Sequence, residues 1–168
     1  MTSLLVIGGA RSGKSRYAQR RAEESGLAPI FIATAQAFDE EMEARIACHR
    51  SDRGTAWQTV EAPLDLPQAI AAHAAPDRVL LVDCLTLWVT NLLLGEHDIA
   101  AAADRLLDAI KAARGPTIFV SNEVGWGIVP ENALARRFRD EAGIVNQRVA
   151  QAVQEVQLVV AGLAVTMK

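Results

Sequence analysis

Short uninterrupted apolar runs alternate along this chain with longer segments of mixed polarity. Leu4–Ile7 runs into Gly8-Gly9 and predicts a strand buried on both faces. Pro29–Thr34, Arg78–Asp83 and Thr117–Ser121 carry the same pattern. Between them, Ser15 to about Ser25 predicts a helix capped by Gly26 and stopped by Pro29. Asp39–Cys48 reads as a polar helix, and Trp57–Glu61 as a strand ended by Pro63. Leu66–His73 predicts a short helix before Pro76, and Leu85–Leu94 an apolar one. Ile99–Ala113 places Leu106, Leu107 and Ile110 on one helical face. Leu134–Ala142 and Val145–Val156 predict two further helices. Gln157–Ala161 and Ala164–Met167 predict a closing pair of strands around Gly162. Strands that alternate with helices, and are themselves continuous apolar runs, predict an α/β fold: a mainly parallel β-sheet flanked by helices. Ser51–Gly54 reads as a loop, and the stretch from about Gly125 to Asn132 is the leading candidate for a long functional loop.

Length and composition narrow the class. The 168 residues suit a single domain, taken as 1–168, large enough to fold without disulfides or zinc. Hydrophobic residues make up 51% and charged residues 22%, a globular balance. The net charge of −3 argues against nucleic acid or an anionic membrane as the main partner. Two cysteines, Cys48 and Cys84, form neither a CxxC metal pattern nor a disulfide framework, so both read as small buried thiols in a reducing compartment. No window holds the ~18 apolar residues that a membrane span needs. Met1-Thr2-Ser3 lacks the basic start of a signal peptide. A cytoplasmic protein is expected.

The chemistry begins after the first strand. Gly8-Gly9-Ala10-Arg11-Ser12-Gly13-Lys14-Ser15 matches G-x-x-x-x-G-K-[ST] and stands between a predicted strand and a predicted helix, as the motif requires. The glycines let backbone N–H groups converge on phosphate oxygens, and the helix N-terminus adds its dipole. Lys14 reaches the terminal phosphates in this reading, and Ser15 is a ligand for Mg²⁺. The second metal residue in this reading is Asp83, a carboxylate closing the strand Val79–Val82; a cap on the following helix explains the same residue. Asn122-Glu123, beyond the strand Thr117–Ser121, is a weaker candidate on the same logic, because ligands in such sheets bind at the carboxyl ends of strands. At this level the chain is a Mg²⁺-dependent nucleotide-binding protein. A small-molecule kinase, a GTPase switch and an ATPase module all remain open.

His49 lies among Arg45, Arg50 and Arg53. A neutral imidazole is a good nucleophile towards phosphorus, and nearby arginines can hold phosphates by charge-assisted forks. A polar surface histidine on a charged helix explains the same residues. His73 and His97 have no such setting and read as surface positions.

Several segments together resemble one family, the bifunctional adenosylcobinamide kinase / adenosylcobinamide-phosphate guanylyltransferase. They are Gly8–Ser15, Ile32-Ala33-Thr34, Asp39–Met42 leading to Arg45-Ile46 and His49-Arg50, and Trp57 with Glu61. Further on come Asp83–Asn91, Asn122–Gly125, Gly127–Asn132, Phe138–Asp140 and Asn146-Gln147. The phosphate loop alone is generic; the ordered combination is specific and runs nearly end to end. The resemblance implies a P-loop NTPase of RecA-like fold and a homotrimer. It implies phosphorylation of adenosylcobinamide by ATP or GTP. Transfer of GMP from GTP to adenosylcobinamide phosphate then gives adenosylcobinamide-GDP and pyrophosphate. It makes His49 the guanylylated residue. It carries nucleotide contacts to Gly8, Gly9, Ala10, Arg11, Ser12, Gly13, Lys14 and Ser15, to Ala33, Thr34 and Ala35, to Arg50, Ser51, Asp52 and Arg53, and to Glu61 and Asp83. Some relatives place a second histidine where Cys48 stands here. The rival reading is a non-catalytic GTP- or ATP-binding switch.

Overall fold

The computed structural model describes residues 3–36 and 56–168. Its seven strands are β1 (Leu4–Gly8), β2 (Ala28–Ala33), β3 (Gln58–Glu61), β4 (Arg78–Asp83), β5 (Thr117–Asn122), β6 (Glu155–Val160) and β7 (Leu163–Thr166). They form one sheet in the order β3-β2-β4-β5-β1-β6-β7. Every pairing among β1 to β6 is parallel, and β7 returns antiparallel along β6. The helices are α1 (Lys14–Glu23), α2 (Leu66–His73), α3 (Leu85–Leu94), α4 (Ile99–Ala112) and α5 (Ala133–Ala152).

The apolar runs are continuous because both sheet faces are covered. Leu4, Val6, Val79, Leu81, Ile118 and Val120 pack under Ala18 and Ala22 of α1. Their neighbours in sequence Leu5, Leu80, Val82 and Phe119 point the other way, into the layer built by α2 to α5. Trp88 of α3 is wholly buried there, and its indole N–H donates to Leu64 O at 2.9 Å. A buried aromatic with a polar edge is thereby satisfied.

One expectation is corrected. Leu134–Ala142 and Val145–Val156 are not two helices: a single 20-residue helix, α5, spans Ala133–Ala152, and β6 begins at Glu155. Gly143 lowers helix propensity by only about 1 kcal/mol relative to alanine. Ala142, Val145, Asn146 and Val149 continue one buried stripe across it, and that burial outweighs the glycine. The Asn132 side chain accepts from Ala135 N at 3.1 Å and fixes where α5 starts. The polar helix expected over Asp39–Cys48 lies outside the described residues.

Helix α1 is clamped to the sheet from its far end. Arg21 Nη1 and Nη2 donate to the two Glu155 carboxylate oxygens, each at 2.8 Å. The guanidinium holds the Glu155 carboxyl below its ordinary value, and the carboxylate raises Arg21 in turn. A depressed carboxyl stabilises the fold above its unfolded pKa and loses that contribution as pH falls through the folded value. The clamp therefore holds at neutral pH and weakens on acidification.

Candidate active site

The parallel topology brings the expected chemistry to one edge. Gly8 stands opposite Asn122 in the β1–β5 register, and Ala33 stands between Glu61 and Asp83 on adjacent strands. Gly8, Ala33, Glu61, Asp83 and Asn122 thus sit at the carboxyl ends of five neighbouring parallel strands, where ligands of open α/β sheets bind.

The segment from Gly8 to Ser15 turns from β1 into α1 at this edge. Gly9, Ala10, Arg11 and Gly13 are exposed, whereas Ser12 and Lys14 are buried. A Cβ on Gly8 would lie 2.4 Å from Val159 O and 2.7 Å from Ser12 Oγ, so only glycine fits beneath the loop. Gly13, the residue preceding α1, has φ 93°, which L side chains rarely adopt. The β6–β7 turn braces the loop: Gly162 N donates to Ser12 O at 2.8 Å. Among the described residues no side chain caps α1, which leaves its first N–H groups facing the loop, where an anion can take them. Lys14 Nζ donates to Gly9 O at 3.1 Å, folded back along the loop. Ser15 is half-buried in the first turn of α1.

Beneath the loop lies a buried polar network. The fully buried Thr34 hydroxyl donates to Cys84 O at 2.7 Å and accepts from Cys84 N at 2.8 Å. Asn91 Nδ2 donates to Thr34 O and Pro63 O. Thr86 Oγ1 accepts from Asn122 N at 2.8 Å, Ser121 Oγ donates to Asn146 Oδ1 at 2.6 Å, and Asn146 Nδ2 donates to Asn122 O at 3.1 Å. Glu123 N then donates to Gly8 O at 3.0 Å. The ends of β2, β4 and β5 are thus pinned by α3 and α5, and β5 is tied to the phosphate loop. Thr86, Asn91 and Asn146 received no role from sequence. Their signal was polarity inside apolar helical stripes, since a buried amide or hydroxyl persists only where it is hydrogen-bonded.

Burial pushes the Cys84 thiol up to about 11, with the Asp83 carboxylate adding to it. The thiol therefore stays protonated through pH 9 and is a poor nucleophile. Iodoacetamide treatment of the folded protein at pH 8, read by peptide mass spectrometry, should leave Cys84 unmodified until denaturant is added.

Ala35 and Asp83 are half-buried at the edge, and Glu61 is exposed. His49, Arg45, Arg50, Ser51, Asp52, Arg53 and Cys48 lie outside the described residues. His97 is exposed and His73 half-buried. The loop expected from Gly125 to Asn132 is observed between β5 and α5, and it exposes Trp126, Ile128 and Val129. Trp126 and Glu123 line a cavity of about 610 Å³ together with Val156 and Leu158 of β6, Met167 and Lys168.

The model of the family described as cobinamide kinase / cobinamide phosphate guanyltransferase matches residues 4–167. The chain belongs to this family. It is 50% identical over 166 residues to the bifunctional adenosylcobalamin biosynthesis protein CobP of Pseudomonas aeruginosa, covering 98% of this chain and 96% of that protein. It is 47% identical to CobU of Salmonella typhimurium, a bifunctional adenosylcobalamin biosynthesis protein, covering 98% and 99%. Distant solved structures share the fold alone. The RadB recombinase aligns with TM-score 0.54 at 15% identity, over 94% of this chain and 73% of that one. The P4 protein of bacteriophage φ6, solved with ADP, aligns with TM-score 0.52 at 14% identity, over 98% and 54%. The fold is that of a RecA-like P-loop NTPase, as the resemblance implied.

Proposed function

We propose that this chain is a bifunctional enzyme of cobalamin biosynthesis, built as a single nucleotide-binding domain. It phosphorylates adenosylcobinamide with ATP or GTP, then transfers GMP from GTP to the resulting phosphate. The carrying observation is family membership over residues 4–167, together with a phosphate loop and Asp83 on one sheet edge. A non-catalytic switch is not favoured, because the relatives are named as bifunctional biosynthesis proteins.

The roles follow from position. The N–H groups of Gly9 to Ser15 cradle phosphates, and Lys14 swings from Gly9 O to their terminal oxygens. Ser15 and Asp83 offer hard oxygen donors that suit Mg²⁺, which usually takes one or two protein ligands and fills the rest with phosphates and water. When bound, the ion would neutralise charge on the phosphates. Ala33, Thr34, Ala35, Glu61 and the Arg50, Ser51, Asp52 and Arg53 stretch complete the nucleotide contacts. The Thr34 side chain serves by holding the Asp83–Cys84 turn, since its hydroxyl is already engaged with Cys84.

His49 is the nucleophile of the second reaction. Its neutral nitrogen attacks the α-phosphorus of GTP. A P–N bond forms, and the P–O bond to pyrophosphate breaks with its electron pair leaving on pyrophosphate. The phosphate oxygen of adenosylcobinamide phosphate then attacks the same phosphorus and releases the imidazole. A homotrimer is part of this reading; the exposed Leu163 and Val165 of β7, with Met167 just beyond it, offer an apolar surface for association. So is a cytoplasmic setting, where ATP and GTP are at hand; no described helix is long and apolar enough to cross a membrane.

Incubation with adenosylcobinamide, GTP and Mg²⁺, followed by chromatography, should give first the phosphate and then adenosylcobinamide-GDP with pyrophosphate. GTP binding without either product would return the reading to a switch.

A further inference from the structure

The segment from Glu123 to Glu131 leads from β5 towards α5 and is held at both ends. At the β5 end, Glu123 N donates to Gly8 O at 3.0 Å, and the Glu123 carboxylate accepts from Gly125 N at 2.6 Å. At the α5 end, Arg136 Nη1 donates to the carbonyl oxygens of Pro130 and Glu131. Between these anchors the tip is apolar and bare: Trp126 is 78% exposed, Ile128 97% and Val129 59%. A Cβ on Gly127 would meet nothing within 4 Å beyond its chain neighbours. Single exposed apolar side chains are ordinary, but three within four residues of a pinned loop form a patch that marks a binding surface.

The phosphate site fixes where this patch stands. Trp126 follows Glu123 by three residues, a reach of about 10 Å at most from the bond to Gly8. Trp126 also lines the cavity that extends to Ile7, the residue before Gly8. A ligand seated on the patch is therefore within reach of a nucleotide held by the phosphate loop. Charge narrows the occupant. From Glu123 to Glu131 the segment carries two carboxylates and no lysine or arginine. That repels a phosphate-bearing ligand and an anionic membrane surface. A broad apolar ligand without anionic groups suits it. The acceptor of the proposed first reaction has that chemistry: a wide macrocycle with apolar faces, rimmed by neutral amides.

We infer that the loop between β5 and α5 docks the corrin macrocycle of adenosylcobinamide, with Trp126 laid on its face and Ile128 packed beside it. An indole supplies a large, rigid contact area for a flat ring system. The hydrogen-bonded base of the loop keeps that area in place before the acceptor arrives, so little ordering is needed on binding. The docked ring leaves its hydroxyl-bearing arm free to reach the phosphate loop. This inference rests on the activity proposed above, and the test separates the two.

The test measures phosphorylation at varied adenosylcobinamide and saturating GTP with Mg²⁺, and then the reverse. Trp126→Ala should raise the KM for adenosylcobinamide about ten-fold, as expected for loss of a stacked aromatic, with kcat and the KM for GTP unchanged. Trp126→Phe keeps a flat ring and should restore most of the acceptor KM. Ile128→Ser should raise it by a smaller factor. Because both side chains are exposed, circular dichroism of each variant should match wild type. An unchanged acceptor KM in Trp126→Ala would overturn the inference. An equal rise in the KM for GTP would also overturn it, by placing the nucleotide base on the loop. So would a lower mass by light scattering, which would make the patch an interface between copies of the chain. Wild-type protein that binds GTP yet phosphorylates no adenosylcobinamide would refute the proposed activity itself, and the docking with it.

Discussion

Replacing Lys14 with alanine should lower both phosphorylation of adenosylcobinamide and GMP transfer by about 100- to 1,000-fold, the usual loss when one preorganised charge-stabilising donor is removed. The loss follows from position. Lys14 opens α1 directly after the phosphate loop, and its ammonium group reaches only Gly9 O within the described structure. That backbone bond holds the side chain in place without spending its charge on a carboxylate. A triphosphate concentrates negative charge at its far end, and transfer of either the γ- or the α-phosphoryl group increases charge on the leaving oxygens. A point charge delivered there stabilises both transition states, so one substitution should impair both reactions. The fold should survive, because the packing under α1 comes from Ala18 and Ala22 against the sheet. Circular dichroism should show an unchanged spectrum and a melting temperature close to wild type. Lys14→Arg should restore little: its planar fork carries the charge but not the compact ammonium geometry. Wild-type turnover by Lys14→Ala would remove the phosphate loop from the mechanism.

The layout of this edge was legible from the chain because local rules and tertiary burial agreed there. Arg78–Asp83 was read as a strand ending in a carboxylate, and the structure ends β4 at Asp83. The return of β7 along β6 followed from Gly162, whose φ of 80° makes the turn. What stayed hidden depended on partners remote in sequence. The segment reads as two helices broken between Ala142 and Val145, because nothing local announces that Ala142 and Asn146 share a buried stripe with Val149. Asn146 lies 24 residues from Asn122, and the bond between them exists only once β5 and α5 have met. The same holds for Thr34 and Asn91, 57 residues apart. Propensity and periodicity report which face a residue occupies. They do not report which buried polar group will find which partner.

His49 carries the other large effect. Its replacement by alanine should abolish GMP transfer while leaving the phosphorylation step at or near wild-type rate. The asymmetry is chemical. Phosphorylating the adenosylcobinamide hydroxyl requires a positioned nucleotide and charge stabilisation, and no protein nucleophile. In the proposed route, GMP transfer through a protein-bound intermediate replaces one difficult displacement by two, with a histidine nitrogen making the intervening bond. GTP labelled at the α-phosphate should therefore label the wild-type protein in the presence of Mg²⁺ and leave His49→Ala unlabelled. The proposed bond is a phosphoramidate, so the label should be released by acid and resist base, unlike a phosphoester. Only neutral imidazole attacks, so labelling should decline as acid protonates the ring. Peptide mass spectrometry should find the mass of GMP on the segment containing His49. Cys48 beside it is the control: Cys48→Ser should label fully. Label persisting on His49→Ala, or mapping to Lys14 or Cys48, would transfer the nucleophile's role to that residue. Loss of both reactions in His49→Ala, with the fold retained, would mean that His49 serves nucleotide binding common to the two steps and not the covalent one.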